Sequence, residues 1–283
     1  MARVCIYHAG CPDGFGAAWA VWRRWGDEAR YVARGHDDPL HASGYRDDTV
    51  VFVDIAPPPA ALRPLGEVVE KLVVLDHHVS ARDHIQADPD LVPALEELGH
   101  VIHFDMEHSG AALAWQYFHP DDPLPELLRY VEDQDLWNWK LPATRDVNAA
   151  ISATDHDFAA WEELAGTSVD VLAAEGAPIH RANRLLVERA LDGAHGISLG
   201  QHRVEAVNAS AQRSQIGHEL ASRALFGVPC GAVYRVAGQR VDVSVYSVGD
   251  FDVAALAGQF GGGGHRNAAG FSVTLAEWLE QFV

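Results

Sequence analysis

Short apolar runs alternate with stretches of helical period along the first part of the chain, and the apolar runs end on polar chemistry. Arg3-Val4-Cys5-Ile6-Tyr7 is a β-prone run that releases His8. Thr49-Val50-Val51-Phe52-Val53 ends in Asp54 and is closed by Ile55-Ala56-Pro57-Pro58-Pro59. Val73-Val74-Leu75 delivers Asp76-His77-His78. Between the first two runs, Asp13-Gly14 opens a helical pattern of Phe15, Ala17, Ala18, Trp19, Val21 and Trp22. Later, an extended Val101-Ile102-His103-Phe104 precedes His108-Ser109-Gly110 and an apolar helical stretch from Ala111 to Phe118. This alternation continues to about residue 165 and predicts an α/β domain with a mainly parallel sheet.

A helical stretch with Ile179, Ala182, Leu185, Leu186, Ala190 and Leu191 follows, ended by Gly193 and Gly196. Beyond it, His202–Val207 and Ala232–Tyr234 read as strands with a helix near Gly217–Ala221 between them, a second and smaller α/β domain. The expected division is residues 1–174, a linker helix over 175–194, and residues 195–283.

Taken alone, Asp76-His77-His78 reads as a polar turn after a buried strand. Three strand ends of the same kind shift that reading, because parallel strands lie about 4.8 Å apart and open α/β sheets carry their chemistry at the carboxyl ends of their strands. Acids and imidazoles from neighbouring strands then converge on one or two cations. A donor set of oxygen and nitrogen suits Mn, Mg, Fe or Zn rather than a soft metal. Tyr130-Val131-Glu132-Asp133-Gln134-Asp135-Leu136-Trp137 sets carboxylates between apolar residues at a helix end or buried turn and supplies further ligand candidates.

Near the end of the chain, Gly261-Gly262-Gly263-Gly264-His265-Arg266 lies between an amphipathic stretch (Phe251 to Phe260) and a strand entry at Ala268-Ala269-Gly270-Phe271. Successive glycine N–H groups form an anion-binding concavity, which a following helix N-terminus would reinforce, with His265 and Arg266 placed for a phosphate.

Read in order, His8, Asp13-Gly14, Asp54, Asp76-His77-His78, Asp133 and Gly261–Gly270 resemble the motif series of the DHH phosphoesterase superfamily with its associated C-terminal domain. The likeness covers nearly the whole chain. That superfamily includes nanoRNases, single-strand exonucleases, cyclic-dinucleotide phosphodiesterases, nucleoside-bisphosphate phosphatases, manganese pyrophosphatases and exopolyphosphatases. The resemblance implies two divalent cations, manganese foremost with Mg, Fe or Zn as alternatives. One would be held by His8, Asp13 and Asp54, the other by Asp54, His77 and Asp133, with Asp54 bridging and Asp135 the alternative to Asp133. Asp76 and His78 are expected behind the ligands or on the phosphate side, as catalytic residues, and sequence leaves open which imidazole is the ligand. Gly262, Gly263, Gly264, His265 and Arg266 would bind substrate, with His108 a weaker candidate.

Two departures stand out. Family members commonly carry an acid two residues before the first-motif aspartate, where this chain has Cys11, and the spacing from His8 is one residue longer. Cys11 is either a thiolate ligand for a softer ion or an inert buried thiol, and the second reading is favoured. Upstream of the glycines, Ser244-Val245-Tyr246-Ser247 lacks the arginine that relatives often show, leaving Arg235 or Arg240 to cover for it.

Composition narrows the reading. With 283 residues, 48% hydrophobic, the chain can bury two cores. Cys5, Cys11 and Cys230 give no even disulfide framework, and no apolar run approaches the ~20 residues of a membrane span, so the expected setting is a reduced cytoplasm. A net charge of −19 repels long polyanions, which excludes tracking along long nucleic acid and favours a short phosphorylated substrate. The expectation is a phosphodiesterase acting on short oligonucleotides or dinucleotides from one end, in a cleft between the domains, with a homodimer compatible. An exopolyphosphatase, pyrophosphatase or bisphosphate phosphatase is the alternative among enzymes. A nucleotide-binding sensor that has lost catalysis is the alternative outside them.

Overall fold

Val, Ile and Phe at successive positions make strands whose side chains alternate between two faces, and a parallel sheet covered on both faces needs both to be apolar. A computed structural model, describing residues 1–36 and 38–283, shows this arrangement. Five parallel strands of the described residues, β1 (Arg3–His8), β2 (Arg30–Arg34), β3 (Thr49–Val53), β4 (Lys71–Asp76) and β5 (Val101–Phe104), form one sheet in the order β2-β1-β3-β4-β5. Its register sets Val4 opposite both Arg30 and Val50, and Val51 opposite Val73.

Cys5, Val51, Val53, Val73 and Leu75 face one core, completed by α1 (Pro12–Trp25), α5 (Gly110–Phe118), α6 (Glu126–Asp135), α7 (Thr144–Ser152) and α8 (Phe158–Gly166). Val4, Ile6, Val50, Phe52, Leu72 and Val74 face the other, against α2 (Pro59–Val68), α3 (Val79–Gln86) and α4 (Leu91–Glu97). Each fully buried Val, Leu, Ile or Phe contributes about 1.5–3 kcal/mol. Trp161 is fully buried in the first core.

The strand Arg30–Arg34 is not foreseen from sequence. It is the edge strand of the sheet, and its Arg-Tyr-Val-Ala-Arg pattern is only partly buried. Because β1 leads to β2 on one side and β3 lies on the other, the strand order reverses between β1 and β3. That reversal is where open α/β sheets leave a crevice at their carboxyl ends.

The chain divides into two units, Met1–His180 and Arg181–Val283, and α9 (Val169–Leu191) runs through the point of division. The second unit has a mixed sheet of β6 (His195–Leu199), β7 (His202–Asn208), β8 (Cys230–Ala237), β9 (Arg240–Ser247), β10 (Gly263–His265) and β11 (Ala268–Thr274), ordered β10-β11-β9-β8-β7-β6. On one face Val207, Val233 and Tyr246 pack with Val187, Leu191 and α10 (Arg213–Arg223). On the other, Ile197, Val204, Val243 and Val245 pack with α11 (Val253–Gly258) and α12 (Leu275–Gln281). The fold class is thus the one expected, a parallel-sheet α/β unit followed by a smaller α/β unit. No helix among the described residues is long and apolar enough to cross a membrane.

Candidate metal centre

His8 ends β1, Asp54 follows β3, and Asp76-His77-His78 closes β4, so all three groups emerge on the carboxyl edge of the sheet beside the reversal point. Asp54 is buried and its backbone is left-handed, with φ at 57°. That conformation is uncommon outside glycine, and Asp and Asn tolerate it best. The Asp54 N–H donates to the Leu75 carbonyl at 3.0 Å, holding the turn against β4. Its Oδ1 lies 3.0 Å from His77 Nε2 and its Oδ2 3.3 Å from His8 Nδ1.

Asp13 stands in the first turn of α1. Its carboxylate accepts the N–H groups of Gly110 at 2.7 Å and Ala111 at 3.0 Å, the opening residues of α5, where the helix dipole favours negative charge. Asp13 Oδ2 is also 3.5 Å from His77 Nε2. Cys11 is the N-cap of α1: its Sγ accepts the Gly14 N–H at 3.3 Å and donates to Asp54 Oδ2 at 3.5 Å. Burial first, then the charges of Asp54 and Asp13, push the Cys11 thiol well up, so in this setting it is a protonated donor. Gly14 has to be glycine, because a Cβ there would lie 2.1 Å from the His8 carbonyl oxygen.

Asp76 turns back on its own motif. Its Oδ1 accepts the N–H groups of His77 at 2.7 Å and His78 at 3.3 Å and lies 2.6 Å from His78 Nδ1. With Nδ1 engaged, Nε2 is the His78 atom a ligand would meet, the arrangement by which carboxylates commonly orient metal- or phosphate-facing imidazoles.

The segment 130–137 resolves in an unexpected way. Asp133 accepts the Lys140 N–H at 2.9 Å and the Leu141 N–H at 3.2 Å, so its carboxylate secures the turn after α6 and joins no group of converging ligand atoms among the described residues. Asp135, the last residue of α6, comes instead to the centre, with Oδ2 3.7 Å from His77 Nε2. The structure thus brings together His8, Cys11, Asp13, Asp54, Asp76, His77, His78 and Asp135, and leaves Asp133 outside.

Two contributors escape sequence reasoning. Glu132 Oε1 sits 2.9 Å from His108 Nδ1 and accepts the Ser109 N–H at 3.3 Å, fixing His108 at the mouth of α5, whose N-cap is Ser109. His36, in the turn after the unforeseen edge strand, has its ring centroid 4.9 Å from that of His8 and 5.8 Å from that of His78. The strand before it is a partly exposed edge strand with no clear apolar pattern, so sequence reasoning had no signal for it.

Charge explains what the centre needs. Burial, then the neighbouring charges of Asp54 and Asp135, push the Asp13 carboxyl well up; burial also raises Asp135, with Asp54 adding to it against the pull of His77. Burial opposes charge on Asp54 too, yet hydrogen bonds from His77 and His8 hold it well below the ordinary range. His77 is pushed up to about 10: burial works against its proton, but the Asp54 hydrogen bond and the charges of Asp135 and Asp13 prevail. Three carboxylates share one imidazolium in a water-poor place. Asp76 Oδ2 and Asp135 Oδ2 are buried there with no hydrogen-bond partner among the described residues. Ligand atoms of Asp13, His77 and Asp135 lie within 4.8 Å of one another, as do those of His8, Cys11 and Asp54, and those of Asp54, Asp76, His77 and His78. The donor set fits divalent cations that favour oxygen and nitrogen.

In the second unit the glycine run is built differently from the expected nest. The Gly261 and Gly262 N–H groups donate to the carbonyls of Gly258 and Ala257 at the end of α11, and Gly263–His265 pairs with Ala268–Gly270 as a strand. A strand, β11, follows directly, so no helix N-terminus stands next to the glycines. The glycines answer to close packing: a Cβ on Gly262 would lie 2.0 Å from the Gly270 oxygen, and Gly264, with φ at 143°, would put one 2.6 Å from the Ala268 oxygen. Arg266 is exposed and donates to the Asp250 carbonyl at 2.8 Å, while His265 is half-buried at the end of β10. Arg235 and Arg240 both pair with Asp242, at 2.8 and 2.6 Å, and the Tyr246 ring covers Gly217.

Residues 208–283 match the model of the DHHA1 domain. The C-terminal part of the chain thus carries a DHHA1 domain. An uncharacterised protein of Acanthamoeba polyphaga mimivirus is 27% identical over 290 residues, spanning 95% of this chain and 67% of its relative. The fold is similar to that of the DHH domain of a member of the s1p family of ribosomal proteins, with a TM-score of 0.56, 14% identity, and 98% and 83% of the two chains covered. It is also similar to an exopolyphosphatase-related protein from Bacteroides fragilis, with a TM-score of 0.50, 14% identity, and 95% and 86% covered. The DHHA1 match supports a phosphoesterase at the family level, and the cluster of acidic and histidine side chains is one that could hold a divalent cation.

Proposed function

We propose that this protein is a DHH-type phosphoesterase that hydrolyses phosphodiester bonds of short oligonucleotides or dinucleotides from one end, with manganese as its working cation. The observation that carries the reading is the gathering of Asp13, Asp54, His77 and Asp135 around one His77 nitrogen, with 3.5, 3.0 and 3.7 Å to the three carboxylates. These residues, with His8, would hold the cations. When bound, the cations neutralise charge on a phosphoryl group and lower the pKa of water so that it attacks at neutral pH.

The chain's own groups do the rest. Asp54, locked in its left-handed turn, presents one oxygen to His77 and the other to His8. His78, held through Nδ1 by Asp76, keeps a proton more readily than an ordinary histidine: burial opposes it and the Asp76 charge overcomes that. Its Nε2 is the atom left to face a phosphoryl oxygen or a cation. His265 and Arg266 are assigned to the terminal phosphate, through side chains rather than through glycine N–H groups. The net charge of −19 favours a substrate of a few nucleotides over a long polyanion.

A manganese-supplemented panel of dinucleotides, cyclic dinucleotides, nucleoside bisphosphates, pyrophosphate and polyphosphate tests the reading. Dinucleotides and oligonucleotides of a few residues should be cleaved fastest. His265→Ala should raise KM and lower kcat for them while changing bis(p-nitrophenyl) phosphate hydrolysis much less, since that compound has no terminal phosphate to anchor. Polyphosphate cleaved far faster than any dinucleotide would overturn the proposal.

A further inference from the structure

We propose that this centre has two chemically different cation positions, and that His36 completes the softer one. The inference rests on the metal-dependent reading above and goes beyond it in separating the two positions by ligand chemistry. Asp54 marks the division. Its Oδ1 faces His77, around which Asp13 and Asp135 supply the other donors. Its Oδ2 faces His8 and the Cys11 thiol, and beyond His8 the further donors are the imidazoles of His36 and His78. Ligand atoms of His8, His36 and His78 lie within 4.8 Å of one another, with ring centroids 4.9, 5.8 and 5.7 Å apart in pairs.

The chemistry of the two sides differs accordingly. Three carboxylates and one imidazole select a hard cation such as manganese or magnesium, while three imidazoles suit a borderline ion of the zinc class. His78 already has the carboxylate on its far nitrogen that raises an imidazole's basicity as a ligand. His36 comes from the turn after β2, the strand on the other side of β1 from the β3 that leads to Asp54, and so supplies a third donor from a separate part of the sheet edge.

The test is metal uptake by the full chain from a mixture of zinc and manganese, measured by dialysis and elemental analysis for wild type, His36→Asn and Asp135→Asn. Wild type should take up zinc and manganese together in equal amounts. His36→Asn should weaken zinc binding by at least about 10-fold, the scale of lesser changes around metal ligands, and leave manganese uptake unchanged. Asp135→Asn should do the reverse. Cobalt(II) placed in the zinc position gives a visible absorption spectrum that His36→Asn should change and Asp135→Asn should not. Zinc held by His36→Asn as tightly as by wild type, or a wild-type protein that fills both positions with manganese and hydrolyses phosphodiesters, would overturn the partition and leave the two-cation reading standing. A wild-type chain that takes up no cation would overturn both.

Discussion

Gly110 and Asp54 compete for the same space: a Cβ on Gly110 would lie 2.4 Å from the Asp54 Cβ and 2.7 Å from its Oδ1. The first residue of α5 therefore sets where the most central carboxylate stands, while its N–H holds Asp13. Gly110→Ala should push Asp54 out of its position between His8 and His77, lower turnover by orders of magnitude and cost about 1–3 kcal/mol of stability through overpacking. Alanine is otherwise favoured over glycine in helices, so a net loss in denaturant unfolding isolates the clash. Unchanged turnover would show that Asp54 is free to move without consequence.

Stability of the metal-free protein should depend on pH through His77. Its ordinary value is 6.5 and its folded value about 10, so its contribution is complete below 6.5 and lost as pH rises towards 10. Asp13 and Asp135, both pushed up, act in the same direction from the ordinary carboxylate range upward. Urea midpoints measured with a chelator should fall across that interval, and manganese, by replacing the His77 proton, should flatten the slope. Equal slopes with and without manganese would count against His77 as a ligand.

Asp133 and Asp135 should separate cleanly. Asp133→Ala removes the acceptor of two backbone N–H groups and should cost about 1–3 kcal/mol while leaving metal stoichiometry intact. Asp135→Asn should weaken cation binding without loss of stability, since its carboxylate is a strained neighbour of Asp54 in the metal-free chain. Calorimetric titration with manganese beside thermal unfolding decides between them; the opposite pattern would restore Asp133 to the centre.

Cys11→Asp replaces one N-cap by a better one and adds a carboxylate beside His8 and Asp54. Manganese affinity should rise and manganese-supported activity be kept or increased. A variant that instead lost bound zinc or iron, as Cys11→Ser would too, would identify the thiol as a ligand.

The residues that gather in the first unit were legible wherever their placement is local. Apolar β-branched runs make strands, strands of a parallel sheet all point their carboxyl ends one way, and so His8, Asp54 and Asp76-His77-His78 had to come out on one edge. The same locality made the α/β alternation readable. Asp133 and Asp135 were not separable by such reasoning: two residues apart on a helix they point about 200° from each other, and only the packing of α6 decides which faces the sheet edge. His36 depends on an edge strand too polar to announce itself, and Gly110 on a helix approaching a strand end from far along the chain. In the glycine run, composition showed freedom of the backbone, but hydrogen bonding to the end of α11 and pairing with β11 determined where its N–H groups went. Period and composition are properties of neighbours in the chain; which side chain meets which across the sheet edge is set by long-range packing, and only the tertiary structure contains it.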